Sequence, residues 1–233
     1  MNAIITGATK GMGKALVMYL AANNYNIALC ARNGTELQKF ISELKEKFPG
    51  QQFFGMPADL ENISDVGAFA DFALQKLDIV DVLINNAGLF LPADLLHEEE
   101  DALERQMKVN VYAPHRLAKI VARGMASRGR GHIFNICSIA SVRPVGTAAS
   151  YSISKAALLS LTKILREELQ DTGVKVTAIL PGSTLTSSWA GSDIPPGRLV
   201  DAEDITKAVG SCLSMSAGAN VDEIIIRPLK GEL

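Results

Sequence analysis

Residues 4–19 read IITGATKGMGKALVMY, and their reading decides the fold. A short apolar run stops at a turn holding Gly7, Gly11 and Gly13 in GxxxGxG spacing, after which apolar residues recur at helical intervals. Glycine suits each place: a tight turn, a backbone that can approach a pyrophosphate, and a helix packed close to the preceding strand. The amides and positive end of the following helix then face the phosphates. Thr9, Lys10 and Met12 complete this candidate dinucleotide-binding turn.

Outward from the turn, the pattern repeats. Short runs (AIIT, NIALCA, QQFFGM, VDVLINN, HIFNICS, KVTAIL, DEIIIRP) alternate with stretches of helical periodicity at 11–23, 34–48, 62–77, 99–127, 151–172 and 202–216. Such alternation predicts a single-domain α/β, Rossmann-type, doubly wound sheet of about seven mostly parallel strands, with helices on both faces. One dinucleotide-binding catalytic domain is expected over residues 1–233, with no repeat or linker. The segment PGSTLTSSWAGSDIPPGRLV, residues 181–200, is a long Ser/Gly/Pro-rich connection after the sixth strand. Connections of that length inside a domain are usually functional, and its part at about 183–200 is read as a substrate lid.

The chain is 48% hydrophobic and 21% charged with a net charge of −2, which is a globular composition. There is no basic block to grip nucleic acid and no apolar run long enough for a membrane span. The start runs straight into strand and turn without the features of a signal peptide. Cys30, Cys137 and Cys212 are odd in number and lack metal spacing, so a reducing, cytoplasmic setting is expected and no metal.

The end of the second strand reads LCARNG, residues 29–34. An acid there would serve the ribose hydroxyls of NAD, but Ala31 stands in that place, followed by Arg32 and Asn33. A guanidinium can grip a 2′-phosphate through forked, charge-assisted bonds, and Lys10 adds a second positive charge. The expected cofactor is NADP(H).

Six motifs then fall in order: TGATKGMG, Asp59 after the third strand, NNAG at 85–88, Asn110 in KVNVYA, Ser138 ending FNICS, and YSISK at 151–155. Together they resemble the short-chain dehydrogenase/reductase family over nearly the whole chain. The resemblance implies that Tyr151 is the acid that protonates a carbonyl oxygen and that Ser138 orients that oxygen. It further implies that Lys155 holds the nicotinamide ribose and that Asn110 supports a water relay. Lys155 lies one turn beyond Tyr151 on the same helical face, where its charge would pull the phenol pKa below its ordinary value near 10. Asp59 and Leu60 resemble residues that meet the adenine, and the resemblance implies that Asn86, Ala87 and Gly88 lie beneath the adenosine ribose. Thr186 resembles the threonine that bonds the nicotinamide carboxamide, and Pro181, Gly182 and Thr184 before it are candidate cofactor-binding residues. His97, His115 and His132 match no catalytic position and are expected on the surface or in helices.

The ending NVDEIIIRPLKGEL lacks the glycine-rich close usual in members that reduce 3-oxoacyl groups, and is more similar to bacterial sepiapterin-reductase-like members. The expected function is NADPH-dependent reduction of a carbonyl, with a pterin side-chain ketone as the specific candidate. Trp189, the single tryptophan, could stack on such a heterocycle. Phe90, Leu91 and Val145 are candidate pocket residues, and Arg143 is read as solvated. The alternatives are a 3-oxoacyl thioester reductase, a dehydrogenase of serine or other 3-hydroxy acids, and, from another class, a catalytically idle nucleotide sensor. Long helices with apolar stripes at 99–127 and 151–172 imply a homodimer or homotetramer.

Overall fold

In β1 (Asn2–Thr6) the side chains of Ala3 and Ile5 enter one hydrophobic layer while Ile4, between them, enters the other. In β2 (Asn26–Ala31) Ile27 and Leu29 divide from Ala28 and Cys30 in the same way, as do Val82 and Ile84 from Leu83 in β4 (Val82–Asn85). Successive side chains point to opposite faces, so a run apolar throughout requires cover on both. The computed structural model describes residues 1–185, 194–195 and 197–232, and it meets that requirement with a three-layer α/β/α sandwich.

Seven strands pair in parallel in the order β3-β2-β1-β4-β5-β6-β7, with β3 at Phe53–Pro57, β5 at Gly131–Ile136, β6 at Val174–Pro181 and β7 at Glu223–Ile226. One face is covered by α1 (Gly11–Ala22), α2 (Gly34–Lys47) and α7 (Ala202–Leu213). The other is covered by α3 (Ile63–Leu77), α5 (Ala113–Ser127), which follows a short α4 (Ala102–Met107), and α6 (Ala149–Leu169). Asn33 and Asn62 cap α2 and α3 by accepting from the amides of Glu36 and Ser64. Both helices carry an acid in the first turn and lysine in the last, complementing the helix dipole.

Two departures from the expected helices matter for the site. The helix expected over 99–127 begins at Ala102 and widens into a π-helical turn at Lys108–Tyr112. The helix expected from 151 begins at Ala149, placing Tyr151 in its first turn. His132 corrects the expectation of a surface or helix position: it lies in β5 at 6% exposure, stacked on Phe134, with Nε2 2.8 Å from Thr177 Oγ1. Burial, with the charge of Lys175, holds its pKa down at about 3. The three cysteines are free and buried, Cys137 just beyond the end of β5. Among the described residues no helix is long and apolar enough to cross a membrane.

Candidate active site

The strand order reverses direction between β1 and β4, which opens a crevice at the carboxyl edge of the sheet. The glycine turn fills the first side of it. Gly7 has φ +64°, and a Cβ there would lie 2.8 Å from Ala87 Cα; at Gly13 a Cβ would collide with the Gly7 carbonyl oxygen. Asn86 ties the turn to β4 by donating from Nδ2 to the carbonyls of Thr6 and Gly7, each at 3.0 Å. The Thr6 hydroxyl accepts from the amides of Asn86 (3.1 Å) and Ala87 (3.0 Å). The stretch Asn86–Gly88 is therefore a brace for the turn as well as a wall of the crevice.

The reactive side assembles from three elements. Ser138, two residues beyond the end of β5, caps a short helical turn by accepting from the Ala140 amide at 3.1 Å. Tyr151 and Lys155 come from the first turns of α6. Asn110 comes from the π turn, fully buried. Its Oδ1 accepts from the Leu89 amide (2.8 Å), and its Nδ2 donates to the Leu89 carbonyl and Ser154 Oγ (both 2.9 Å). The wider turn thus lets one amide side chain clamp the segment after β4 to α6, a common use of π bulges near functional sites. Asn110 and Lys155 flank one glycine: a Cβ at Gly88 would lie 3.5 Å from Asn110 Oδ1 and 3.6 Å from Lys155 Nζ. Phe90 packs edge-on against Tyr151, with ring centroids 4.8 Å apart.

The electrostatics correct one expectation. Burial pushes the Tyr151 phenol up to about 12; the Ser138 hydrogen bond lowers it and the Cys137 thiol raises it, and Lys155 is not among the groups that shift it. The lysine ammonium is turned elsewhere, donating to the Ile136 carbonyl at 2.8 Å, with Nζ 5.7 Å from the Tyr151 ring centroid. Burial also brings Lys155 itself down to about 8. In the protein alone, desolvation therefore outweighs the attraction that i,i+4 spacing led one to expect.

One cleft of about 790 Å³ joins the two sides. Gly7, Thr9, Lys10, Gly11, Met12, Gly13, Arg32, Asp59, Leu60, Asn86, Ala87, Gly88, Ser138, Tyr151, Lys155, Pro181, Gly182 and Thr184 all line it. Asn110 stands behind the wall, and Asn33 is not in the lining, since its side chain is the α2 cap. Lys10 pairs with Glu36 at 3.0 Å, whereas Arg32 has no ion-pair partner among the described residues. Asp59 Oδ1 accepts from the Glu61 amide at 3.1 Å, so the carboxylate also shapes its own loop. Thr186 and Trp189 lie outside the described residues. The ends of the expected lid segment are joined, Leu185 donating to the Val200 carbonyl at 2.8 Å and Val200 to that of Ser183 at 3.0 Å. Phe90 and Val145 line the cleft; Leu91 does not, its amide donating to Gln106 Oε1 at 3.2 Å.

Sequence reading missed two residues. Gln106 is fully buried and holds the segment after β4, and Glu232, near the chain end, lines the cleft. Neither sits in a motif or at a spacing that singles it out, because each acts through a partner distant along the chain.

A family model described as short chain dehydrogenase matches residues 1–193. An uncharacterized oxidoreductase of Staphylococcus aureus (strain N315) is 30% identical over 227 residues, 97% of this chain and 96% of that protein. Among solved structures, an alcohol dehydrogenase from the archaeon Thermococcus sibiricus complexed with 5-hydroxy-NADP superposes with a TM-score of 0.91 at 26% identity, covering 100% of this chain and 98% of that one. The L-sorbose reductase of Gluconobacter frateurii, complexed with NADPH and L-sorbose, superposes with a TM-score of 0.89 at 26% identity, covering 97% and 95%.

Proposed function

The chain belongs to the short-chain dehydrogenase family, and from that premise we propose that it is an NADP(H)-dependent carbonyl reductase acting on a neutral hydroxyketone. The observation that carries this is one continuous cleft in which the glycine turn, Arg32, Ser138, Tyr151 and Lys155 meet.

The residues suit NADP(H). The turn is closed at Gly7 and Gly13 to any side chain, which leaves its amides free to approach a pyrophosphate. Arg32, exposed beside Ala31 and without an ion-pair partner among the described residues, would hold a 2′-phosphate. Lys155 would hold the nicotinamide ribose, and Pro181, Gly182, Thr184 and Thr186 the carboxamide. NADPH, when bound, would supply the hydride. Tyr151, protonated at neutral pH, passes its phenolic proton to the carbonyl oxygen as negative charge develops there. Ser138 donates a hydrogen bond to that same oxygen. Asn110 keeps Tyr151 and Lys155 in register by its clamp on Leu89 and Ser154.

For the substrate, the lining around Tyr151 supports a neutral ketone. Leu89, Phe90, Pro92, Val145, Thr147 and Ala148 contribute no charge to that end, and Arg143 is exposed and absent from the lining. An acidic 3-hydroxy acid would find no free guanidinium there, so that alternative ranks lower. L-Sorbose, the ligand of the Gluconobacter neighbour, is a ketone with a hydroxyl on the adjacent carbon. A pterin side-chain ketone of the sepiapterin type has the same arrangement, and Trp189 in a closing segment at 183–200 would stack on its ring. Sepiapterin, L-sorbose and an acetoacetyl thioester, each assayed by loss of NADPH absorbance, test this. Turnover of the thioester alone sinks the hydroxyketone reading; inactivity of all three with intact NADPH binding favours the idle sensor.

The protein is further proposed to act as a homodimer or homotetramer in a reducing, cytoplasmic setting. Tyr112, Ile153 and Ile164 stay 46–51% exposed on the π turn and α6, an apolar surface suited to a second copy. Three unpaired, buried thiols suit a reducing compartment. A monomeric mass by light scattering at micromolar concentration would end the oligomer proposal.

A further inference from the structure

Glu232 reaches back across the sheet edge to the segment after β6. Its Oε2 accepts from the Ser183 amide at 2.7 Å and from the Ser183 hydroxyl at 3.0 Å, while Oε1 accepts from Arg227 Nε at 2.8 Å. The carboxylate lies over Gly182, where a Cβ would come within 2.6 Å of both oxygens. The tail that carries it is pinned by Arg198, which donates to the carbonyls of Gly231 (2.7 Å) and Glu232 (3.0 Å). Burial raises the Glu232 pKa, but the bonds from Arg227 and Ser183 outweigh it and leave the carboxyl below its usual range.

The position of this strap along the cleft gives it a meaning. Arg32 follows β2, at one side of the strand order, whereas Ser138 follows β5 and Gly182 follows β6, its neighbour on the other side. A cofactor whose 2′-phosphate meets Arg32 and whose reactive ring meets Tyr151 must therefore put its nicotinamide half against Gly182–Thr184. That segment leaves β6 with no further strand register, and among its holds are the Thr184–Val200 bridge, the Gly182 amide's bond to the Ile226 carbonyl, the Thr184 hydroxyl's bond to the Gly182 carbonyl and Glu232.

We propose that Glu232 is a positioning residue, through which the C-terminal tail fixes the Gly182–Thr184 wall and so pre-forms the nicotinamide end of the cleft. The inference rests on the NADP(H) reading above. Pre-forming the wall spares the cofactor the cost of ordering it, so affinity should depend on the strap.

Calorimetric titration of the full chain tests this with two ligands, NADP⁺ and 2′,5′-ADP, the latter lacking the nicotinamide half. In Glu232→Ala the Kd for NADP⁺ should rise about tenfold, and in Glu232→Gln by less, since a neutral acceptor keeps part of the bonding. The Kd for 2′,5′-ADP should not move in either. Arg227→Met should weaken NADP⁺ binding in the wild-type background and add nothing to Glu232→Ala. Unchanged NADP⁺ affinity in both Glu232 variants overturns the proposal. Equal losses for the two ligands do so too, by making the tail a support of the whole fold, and tighter NADP⁺ binding would mean that the carboxylate obstructs the cleft. A wild-type chain that binds neither ligand would instead remove the cofactor reading, and this inference with it.

Discussion

Lys155 Nζ donates to the carbonyl of Ile136, the last residue of β5, at 2.8 Å, so the lysine of the first turns of α6 is buttoned to the strand that delivers Ser138. The bond holds the Ser138 hydroxyl and the Tyr151 phenol at a common edge, and it satisfies a buried ammonium that burial disfavours. Its folded pKa of about 8 lies below the ordinary 10.5, so between those values the unfolded chain binds more protons than the folded one. Stability contributed at this site must then rise with pH through that window. Urea unfolding of wild type and Lys155→Met from pH 7.5 to 10 should show the wild type gaining on the variant, by at most about 3 kcal/mol. A pH-independent difference would mean that the lysine is not desolvated.

Tyr151 titrates in the opposite sense. Its folded pKa of about 12 exceeds the ordinary 10, so it holds its proton throughout the neutral range. Tyr151→Phe should lower kcat for ketone reduction by about 10²- to 10⁴-fold while leaving the Kd for NADPH within about twofold. Phe90 should retain its edge-on packing, since the variant keeps the ring it rests against. Steady-state rates and a fluorescence titration give both readouts; a near-normal rate removes Tyr151 as the acid.

Arg32 and Lys10 divide unequally, because Lys10 is already neutralised by Glu36. Arg32→Ala should therefore raise the KM for NADPH by about 10- to 100-fold with little effect on NADH, whereas Lys10→Ala should cost only a few-fold. The ratio of kcat/KM for the two cofactors measures this. Equal losses in the two variants would place the phosphate between them.

Asn110 makes three hydrogen bonds from a position with no exposure. Asn110→Ala strands the Leu89 amide and carbonyl, and should destabilise the fold by about 2–4 kcal/mol as well as slow turnover. Asn110→Asp keeps the acceptor for the Leu89 amide but faces the Leu89 carbonyl with charge, so it should be no better. Chemical denaturation checks both, and wild-type stability in either variant would mean that the π turn is held by other contacts.

How legible was this in the chain? The glycine turn, the apolar strands and YSISK could be read because each is a local pattern: a turn that excludes Cβ atoms, a period of two, a spacing of one helical turn. Arg32 was legible because β2 ends just before it. His132 was misjudged since histidine carries no label of its own, and only the pairing of β5 with β6 sets it against Thr177. The pKa of Tyr151 was misjudged for a related reason: spacing says that Lys155 is near, but not that its ammonium turns to Ile136 or that both groups are dry.

The sequence by itself determined the alternating α/β architecture, the side of the sheet where a dinucleotide would lie, and the residue types gathered there, because backbone sterics and side-chain periodicity act over a few residues. Tertiary structure alone decided which groups satisfy one another: Asn110 with Leu89 and Ser154, Lys155 with Ile136, and Glu232 with Ser183 across 49 positions of chain. Those pairings depend on where separate elements pack, and burial then sets each charge by the water it loses, a quantity that no short stretch of residues contains.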